Sequence, residues 1–272
     1  MFAFIKSELE KNNIELVSCL SLNECKILRP YLLEKHEINS GSVIIFAAPY
    51  LTKTSAGKRN ISSYAVSRDY HLFFANLFKD LIFKLQTEYP NNKFAAFTDH
   101  SPIDEIHSAA KAGLGVIGKN HLLITKKYSS YIFLGEIITD AILPSLATEV
   151  GTCINCGKCM DFCPANIYKV ECISAITQKK GELSEKEVEI IKSTNCAWGC
   201  DKCQEVCPHT QNAINNGTIY TKIEFFNQNL TPTITSEDID IMSKEDFSAR
   251  AYSWRGKNTI QRNLKILEGK EI

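Results

Sequence analysis

The 272-residue chain is predicted to be a mixed α/β (α+β) protein with a larger, layered N-terminal domain and a smaller cysteine-bearing domain. Three observations carry this reading. Over the first 148 residues, short apolar runs of strand length alternate with segments of helical period, the pattern of a layered domain. Seven of the eleven cysteines then fall in two compact runs between residues 153 and 207. After them the chain turns polar and closes on a short basic helix.

The elements follow in order. Met1 to Glu10 reads as an amphipathic helix; it is charged by Lys6, so it is not a signal peptide. Cys19 and Cys25 are placed on an ordinary helical stretch, as core thiols. Ser42-Val-Ile-Ile-Phe-Ala-Ala is rich in β-branched residues and predicts a strand that Pro49 ends. His71 to Tyr89 carries Leu72, Phe73, Leu77, Leu81, Ile82 and Leu85 on one helical face, stopped by Pro90. Phe94-Ala-Ala-Phe-Thr predicts a second strand, and Tyr131 to Thr139 a third that closes the domain before Pro144. The expected boundaries are 1–148 for the cofactor-binding domain, 149–212 for the loop-rich cysteine domain and 213–272 for the tail.

Composition narrows the function. Thirty-one basic residues balance 31 acidic ones, so no global field argues for nucleic acid. With 44% hydrophobic residues the chain is expected to be a soluble globular protein. Its longest apolar stretch, Val43 to Leu51, contains Pro49 and is too short to span a bilayer. No membrane partner is expected, and a cytoplasmic setting fits.

The first cysteine run is Cys153-Ile-Asn-Cys156-Gly-Lys-Cys159-Met-Asp-Phe-Cys163-Pro164. The second is Cys200-Asp-Lys-Cys203-Gln-Glu-Val-Cys207-Pro208, and Cys172 stands between them. C-x2-C-x2-C-x3-C-P is the bacterial ferredoxin pattern for [4Fe–4S] clusters, in which the last cysteine serves the other cluster. Each cubane takes four thiolates, so eight ligands imply two clusters and a ferredoxin-like fold. A chain of this length without a secretory leader has no need of disulfides. Zinc is the competing reading of paired C-x2-C units, but it has no use for three cysteines spaced by two or for the proline after both runs. Cys196, four residues before Cys200, competes for a ligand position and is not assigned one.

Gly113, Gly115 and Gly118 satisfy a Gly-x-Gly-x-x-Gly count. A dinucleotide fingerprint follows a strand and opens a helix; here the glycines end the helical stretch His107 to Ala112 and lead into Leu122-Leu-Ile-Thr. A tight turn, or close backbone approach to a bulky cofactor, fits the order better. Gly115 and Lys119 are therefore candidate cofactor contacts.

Several blocks taken together resemble a known family. They are Thr98-Asp99-His-Ser-Pro102-Ile-Asp-Glu105, Ala109 to Asn120, and Phe133-Leu-Gly-Glu-Ile-Ile-Thr-Asp140. Cys172-Ile-Ser174, Gly199 to Pro208 and Arg68-Asp-Tyr-His71 complete them, with Arg255, Arg262 and Asn263 echoing the segment after the clusters. In combination, over residues 40 to 267, the chain resembles epoxyqueuosine reductase, the cobalamin-dependent iron–sulfur family of tRNA queuosine synthesis.

The resemblance implies a role for each matching residue. Asp99 takes the place of the proton donor that faces cobalamin. Cys153, Cys156, Cys159 and Cys207 would hold one cluster; Cys163, Cys172, Cys200 and Cys203 the other, with Ser174 near the corrin. The ligand role of Cys172 rests on the resemblance; a buried helical thiol is its plain alternative. The implied partners are the anticodon loop of tRNA and an external electron donor such as ferredoxin or flavodoxin. Opening an epoxide to an alkene needs two electrons and protonation of the departing oxygen, and a desolvated Asp99 could act as that acid. Helix capping after Pro102 is its structural alternative.

Other side chains carry two readings each. His100, His107 and His121 are packing or surface residues, and Glu136 is placed on a strand, hydrogen-bonding a turn. Arg68, Asp69, Tyr70 and His71 either bind a cofactor side chain or cap a helix. Lys179, Lys180, Arg250, Arg255, Lys257, Arg262 and Lys265 either meet phosphates or form a solvated face. The chain departs from the family at Ile106, where an Arg is common, and at His209, where an aromatic residue often follows the last Cys-Pro. Many members also carry a C-terminal helical-repeat extension that helps to hold tRNA, so the tRNA expectation rests on less than the cofactor expectation does. Two other classes stay open: a reductive dehalogenase-like reductase of a small molecule, and a ferredoxin-type electron carrier.

Overall fold

The computed structural model describes residues 1–165 and 171–271. Among these the first elements are α1 (Phe2–Lys11), β1 (Leu16–Ser21), α2 (Pro30–Lys35), β2 (Ser42–Pro49), α3 (Tyr70–Glu88) and β3 (Phe94–Phe97). Next come α4 (Glu105–Lys111), the hairpin of β4 (Val116–Ile117) and β5 (Leu123–Ile124), and β6 (Ile132–Thr139). The remainder is helical: α5 (Lys158–Asp161), α6 (Ile173–Gln178), α7 (Glu185–Thr194), α8 (Lys202–Glu205), α9 (Pro208–Asn215), α10 (Ser236–Ile241), α11 (Lys244–Ser248) and α12 (Lys257–Glu268). No helix among the described residues is long and apolar enough to cross a membrane.

The chain divides into two compact units that interleave. The first comprises Met1–Pro49, Phe73–Cys156 and Asn212–Ile223; the second comprises Tyr50–Leu72, Gly157–Gln211 and Glu224–Ile272. These cut across the consecutive spans 1–148, 149–212 and 213–272. The cause is apolar: Ile61, Ala65 and Val66, which precede the long helix α3, share a core with Trp198, Tyr252 and Ile260.

The first unit is built on an antiparallel sheet of order β1-β2-β6-β3. Strand β2 is buried along its whole length, as its β-branched run requires. One face, through Val43 and Ile45, packs with Ile103, Ala109 and Ala110 around α4. On the other face Phe46 stacks on Phe74 of α3, with ring centroids 6.0 Å apart. Gly135 in β6 permits that stack, since a Cβ there would stand 2.5 Å from Phe74 and 2.6 Å from Phe46. Cys19 and Cys25 are buried, as core thiols should be, but not on a helix. Cys19 lies in edge strand β1, paired to β2 from Leu16↔Ala47 to Ser21↔Ser42, and Cys25 ends a 3-10 turn. Pairing along its whole length with the buried strand β2 outweighs local helical character here.

In the second unit α12 packs against α6 and α7. Buried Asn263 donates to the carbonyls of Thr177 (2.6 Å) and Ala197 (2.8 Å), tying α12 to α6 and to the chain just before Cys200. The second cysteine run is anchored by Asp201, which is 3% exposed. Its carboxylate accepts from Ser62 Oγ, the Ser63 amide (2.6 Å), Arg59 Nη2 (2.9 Å) and Gln204 Nε2 (3.1 Å), while Arg59 also pairs with Glu205. A buried carboxylate needs this full complement of donors to offset its lost hydration.

Two stability effects follow. Asp201→Ala removes a carboxylate partner from the largely buried Arg59 cation and is expected to cost about 3 kcal/mol in denaturant unfolding. Gly135→Ala forces a methyl between Phe46 and Phe74 and is expected to cost about 1–3 kcal/mol by the same measurement.

Candidate active site and cluster-binding cysteines

Asp99 stands just past the end of β3, in a left-handed backbone conformation (φ +64°) uncommon for a non-glycine residue. The turn is held from both sides. Thr98 Oγ1 donates to the carbonyl of Leu134 (2.8 Å), and the Asp99 amide donates to Glu105 Oε1 (3.1 Å). Its side chain is exposed, so the fold itself does not provide the desolvation expected there. Asp99 does not cap the following helix either. Asp104 is the N-cap of α4, accepting from the His107 amide at 3.1 Å.

The desolvated carboxyls lie behind it. Glu136 on β6 is fully buried, and Glu105 on the first turn of α4 faces it. Burial pushes both above the ordinary carboxyl range, with each other's charge adding to the effect on Glu136. Sequence reasoning placed Glu136 on a strand but against a turn; its partner is instead another carboxyl. A charged residue inside a near-continuous apolar strand was the available signal. His100 is exposed and meets Tyr31 Oη at 2.9 Å, His121 is exposed, and His107 Nδ1 is buried without a hydrogen-bond partner.

The glycine-rich segment joins α4 to the β4–β5 hairpin, helix to strand, against the order of a dinucleotide fingerprint. Gly113 (φ +76°) caps α4, with its own amide bonded to Ala110 and that of Leu114 to Ala109. Gly115 lies against β5: a Cβ would meet the Ile124 carbonyl oxygen at 2.5 Å. Its close approach is thus to the hairpin's own backbone. Lys119 is exposed at the hairpin tip. At the start of α3, Asp69 accepts from the His71 amide (2.9 Å) and ring (2.8 Å), a capping role within the Arg68–His71 block.

Cys153 and Cys156 close the middle segment of the first unit, where the Cys153 amide bonds the Ile117 carbonyl at 3.1 Å. The other six candidate ligands belong to the second unit. Cys159 and Cys203 lie on α5 and α8, which pack together. Cys172, exposed at the N-cap of α6 and so not a buried helical thiol, is within electrostatic reach of Cys163 and Cys200, and local desolvation together with those neighbouring thiols pushes its thiol up. Cys207 ends the run just before α9. Cys196 hydrogen-bonds Cys200, and that bond together with burial pushes Cys200 up. Ser174 Oγ accepts from Gln178 Nε2 at 2.9 Å, which leaves its own proton to donate.

The basic residues divide. Arg250 is buried, donating to the Asn229 carbonyl (2.7 Å), so it is not part of a phosphate-facing surface. Lys179 pairs with Glu187 (2.8 Å), and Arg255 stacks 3.7 Å over Trp254. Arg262 and Lys265 of α12 border a groove of about 680 Å³ opposite Leu183 and Val188.

Two family models match this chain: "Epoxyqueuosine reductase QueG, DUF1730" over residues 35–100 and "4Fe-4S dicluster domain" over residues 152–211. The epoxyqueuosine reductase of Lactococcus garvieae is 32% identical over 223 residues, 78% of this chain and 62% of the relative. That of Gloeobacter violaceus is 31% identical over 235 residues, 81% of this chain and 71% of the relative. A solved epoxyqueuosine reductase structure, with a tRNA-Tyr epoxyqueuosine-modified stem loop, superposes with a TM-score of 0.74 at 23% identity over 98% of this chain and 81% of that one. The alignments span 53–62% of the length of the first curated relatives. With two cysteine runs inside the dicluster match and the Asp99 turn closing the other, the chain belongs to the epoxyqueuosine reductase family.

Proposed function

We propose that this chain reduces epoxyqueuosine to queuosine in tRNA, using cobalamin and two [4Fe–4S] clusters. The observation that carries the reading is the approach of Cys172, which lies outside both runs, to Cys163 and Cys200, in a member of this family. Neighbouring thiols repel one another once ionised; a cluster's iron offsets that repulsion, so the donor set fits a cubane. The ligand sets are Cys153, Cys156, Cys159 and Cys207 for one cluster, and Cys163, Cys172, Cys200 and Cys203 for the other. Asp99 and Lys119 are exposed and the Ser174 hydroxyl has its own proton to donate, polar groups that fit a large polar cofactor.

Removing the epoxide oxygen as water leaves an alkene and consumes two electrons and two protons. Bound cobalamin supplies a strongly reduced cobalt for that step, and the clusters supply electrons one at a time. The chain's own part is to deliver a proton and to hold the substrate. Asp99 presents its carboxyl at the tip of a turn fixed by Thr98 and Glu105, the position proposed for the proton donor. Lys257 pairs with Asp240 (3.9 Å) and Arg262 donates to Asn263 and the Gly181 carbonyl, so Lys180 and Lys265 are the basic groups of the set proposed to meet phosphates of an anticodon stem-loop. A ferredoxin or flavodoxin is the proposed electron donor, and the cytoplasm the proposed compartment.

Three measurements test this reading. Turnover of epoxyqueuosine-containing tRNA by anaerobic, cofactor-loaded protein is expected; its absence, with clusters and cobalamin present, removes the assignment. Asp99→Asn is expected to lower turnover by roughly 10²–10⁴-fold while leaving iron and cobalt contents intact. Cys172→Ala is expected to lose one cluster, seen as half the iron and sulfide, whereas Cys196→Ala keeps both.

A further inference from the structure

Glu136 lies in the middle of β6, opposite Ile45 of β2 and Phe97 of β3, and no part of it reaches solvent. Neither carboxyl oxygen has a donor in hydrogen-bonding geometry, although the Glu105 carboxyl stands against it. Ionised carboxylates only accept hydrogen bonds, so this contact is repulsive with both groups charged and becomes a hydrogen bond when one is protonated.

The surroundings decide where the proton sits. Glu105 faces the Arg29 cation and accepts the Asp99 amide, both of which favour its charged form, against the opposing charge of Asp99. Glu136 faces the Glu105 carboxyl and the Cys25 thiol, which disfavour its charge, and the Ser101 hydroxyl, which favours it but is outweighed by burial. We propose that Glu136 carries a proton at neutral pH and donates it to the Glu105 carboxylate, and that Glu105, so oriented, is the positioning residue for Asp99. Glu105 then links two bonds, one inward to Glu136 and one outward to the Asp99 amide, and it holds the left-handed turn in place. The second half of this inference rests on Asp99 acting as the acid; the first half does not.

Burial raises both carboxyls, so the folded chain keeps a proton that the unfolded chain releases above the ordinary carboxyl range. Stability therefore falls as pH rises from that range toward the raised folded value, and Glu136→Gln removes the Glu136 share of this slope.

Infrared difference spectroscopy on the full chain tests the pair without reference to activity. A protonated-carboxyl band that shifts in D2O is expected at neutral pH and should vanish in Glu136→Gln. Absence of the band in the wild-type chain, or its survival in the variant, overturns the proposal; the wild-type spectrum decides even if the variant does not fold. Positioning is read from turnover. Glu105→Ala, which removes the acceptor for the Asp99 amide, is expected to lose roughly ten- to a hundredfold in kcat with KM little changed, and Glu105→Gln, which keeps an acceptor oxygen, to recover most of it. Equal losses in both variants overturn the positioning role. A fully active Asp99→Asn would instead end the acid assignment while leaving the carboxyl pair standing.

Discussion

The burial of carboxylates organises both halves of this molecule, with opposite solutions in each. Asp201 stays charged because the Ser62 hydroxyl, the Ser63 amide, Arg59 and Gln204 all donate to it, and through these bonds the 59–63 segment is fastened to the second cysteine run. Glu136 has no such set of donors and faces another carboxyl. Supplying donors and supplying a proton are the two ways a protein keeps an acid out of water. The first makes a rigid anchor beside Cys200; the second makes a protonated group behind Asp99.

The chemistry expected of the family depends on both. Thiols of one unit must be held at fixed spacing whether or not iron is present, and α5 packed on α8 with Asp201 beneath provides that frame. The acid proposed at Asp99 must be accessible yet fixed, and its turn is pinned at Thr98 and at its own amide while the side chain stays exposed. The bound partners, and not the fold alone, would complete its desolvation.

Much of this was legible in the residues. The strands at 42–49, 94–97 and 132–139 and the helix at 70–88 announce themselves through β-branched runs, a clean 3.6 period and flanking prolines. The cysteine spacing named the cluster chemistry directly, and the helix-to-strand order argued correctly against a dinucleotide fingerprint. What was missed depends on tertiary context. Strand β1 was hidden because Leu16 to Ser21 is short and gains its extended form from pairing with β2. Asp104 takes the cap that Asp99 might have provided, since only the turn geometry places one side chain over the helix end. The burial of Arg250, and the partnership of Glu105 with Glu136 across 31 positions of sequence, have no local signature.

Interleaving has a consequence for biogenesis. Residues 50–72 emerge from the ribosome early, but the core that receives them is built from Trp198, Tyr252 and Ile260, and the Asn263 amide ties that core shut. The second unit therefore closes only once residue 263 has been made, and both cysteine runs leave the ribosome before the core that frames them is complete.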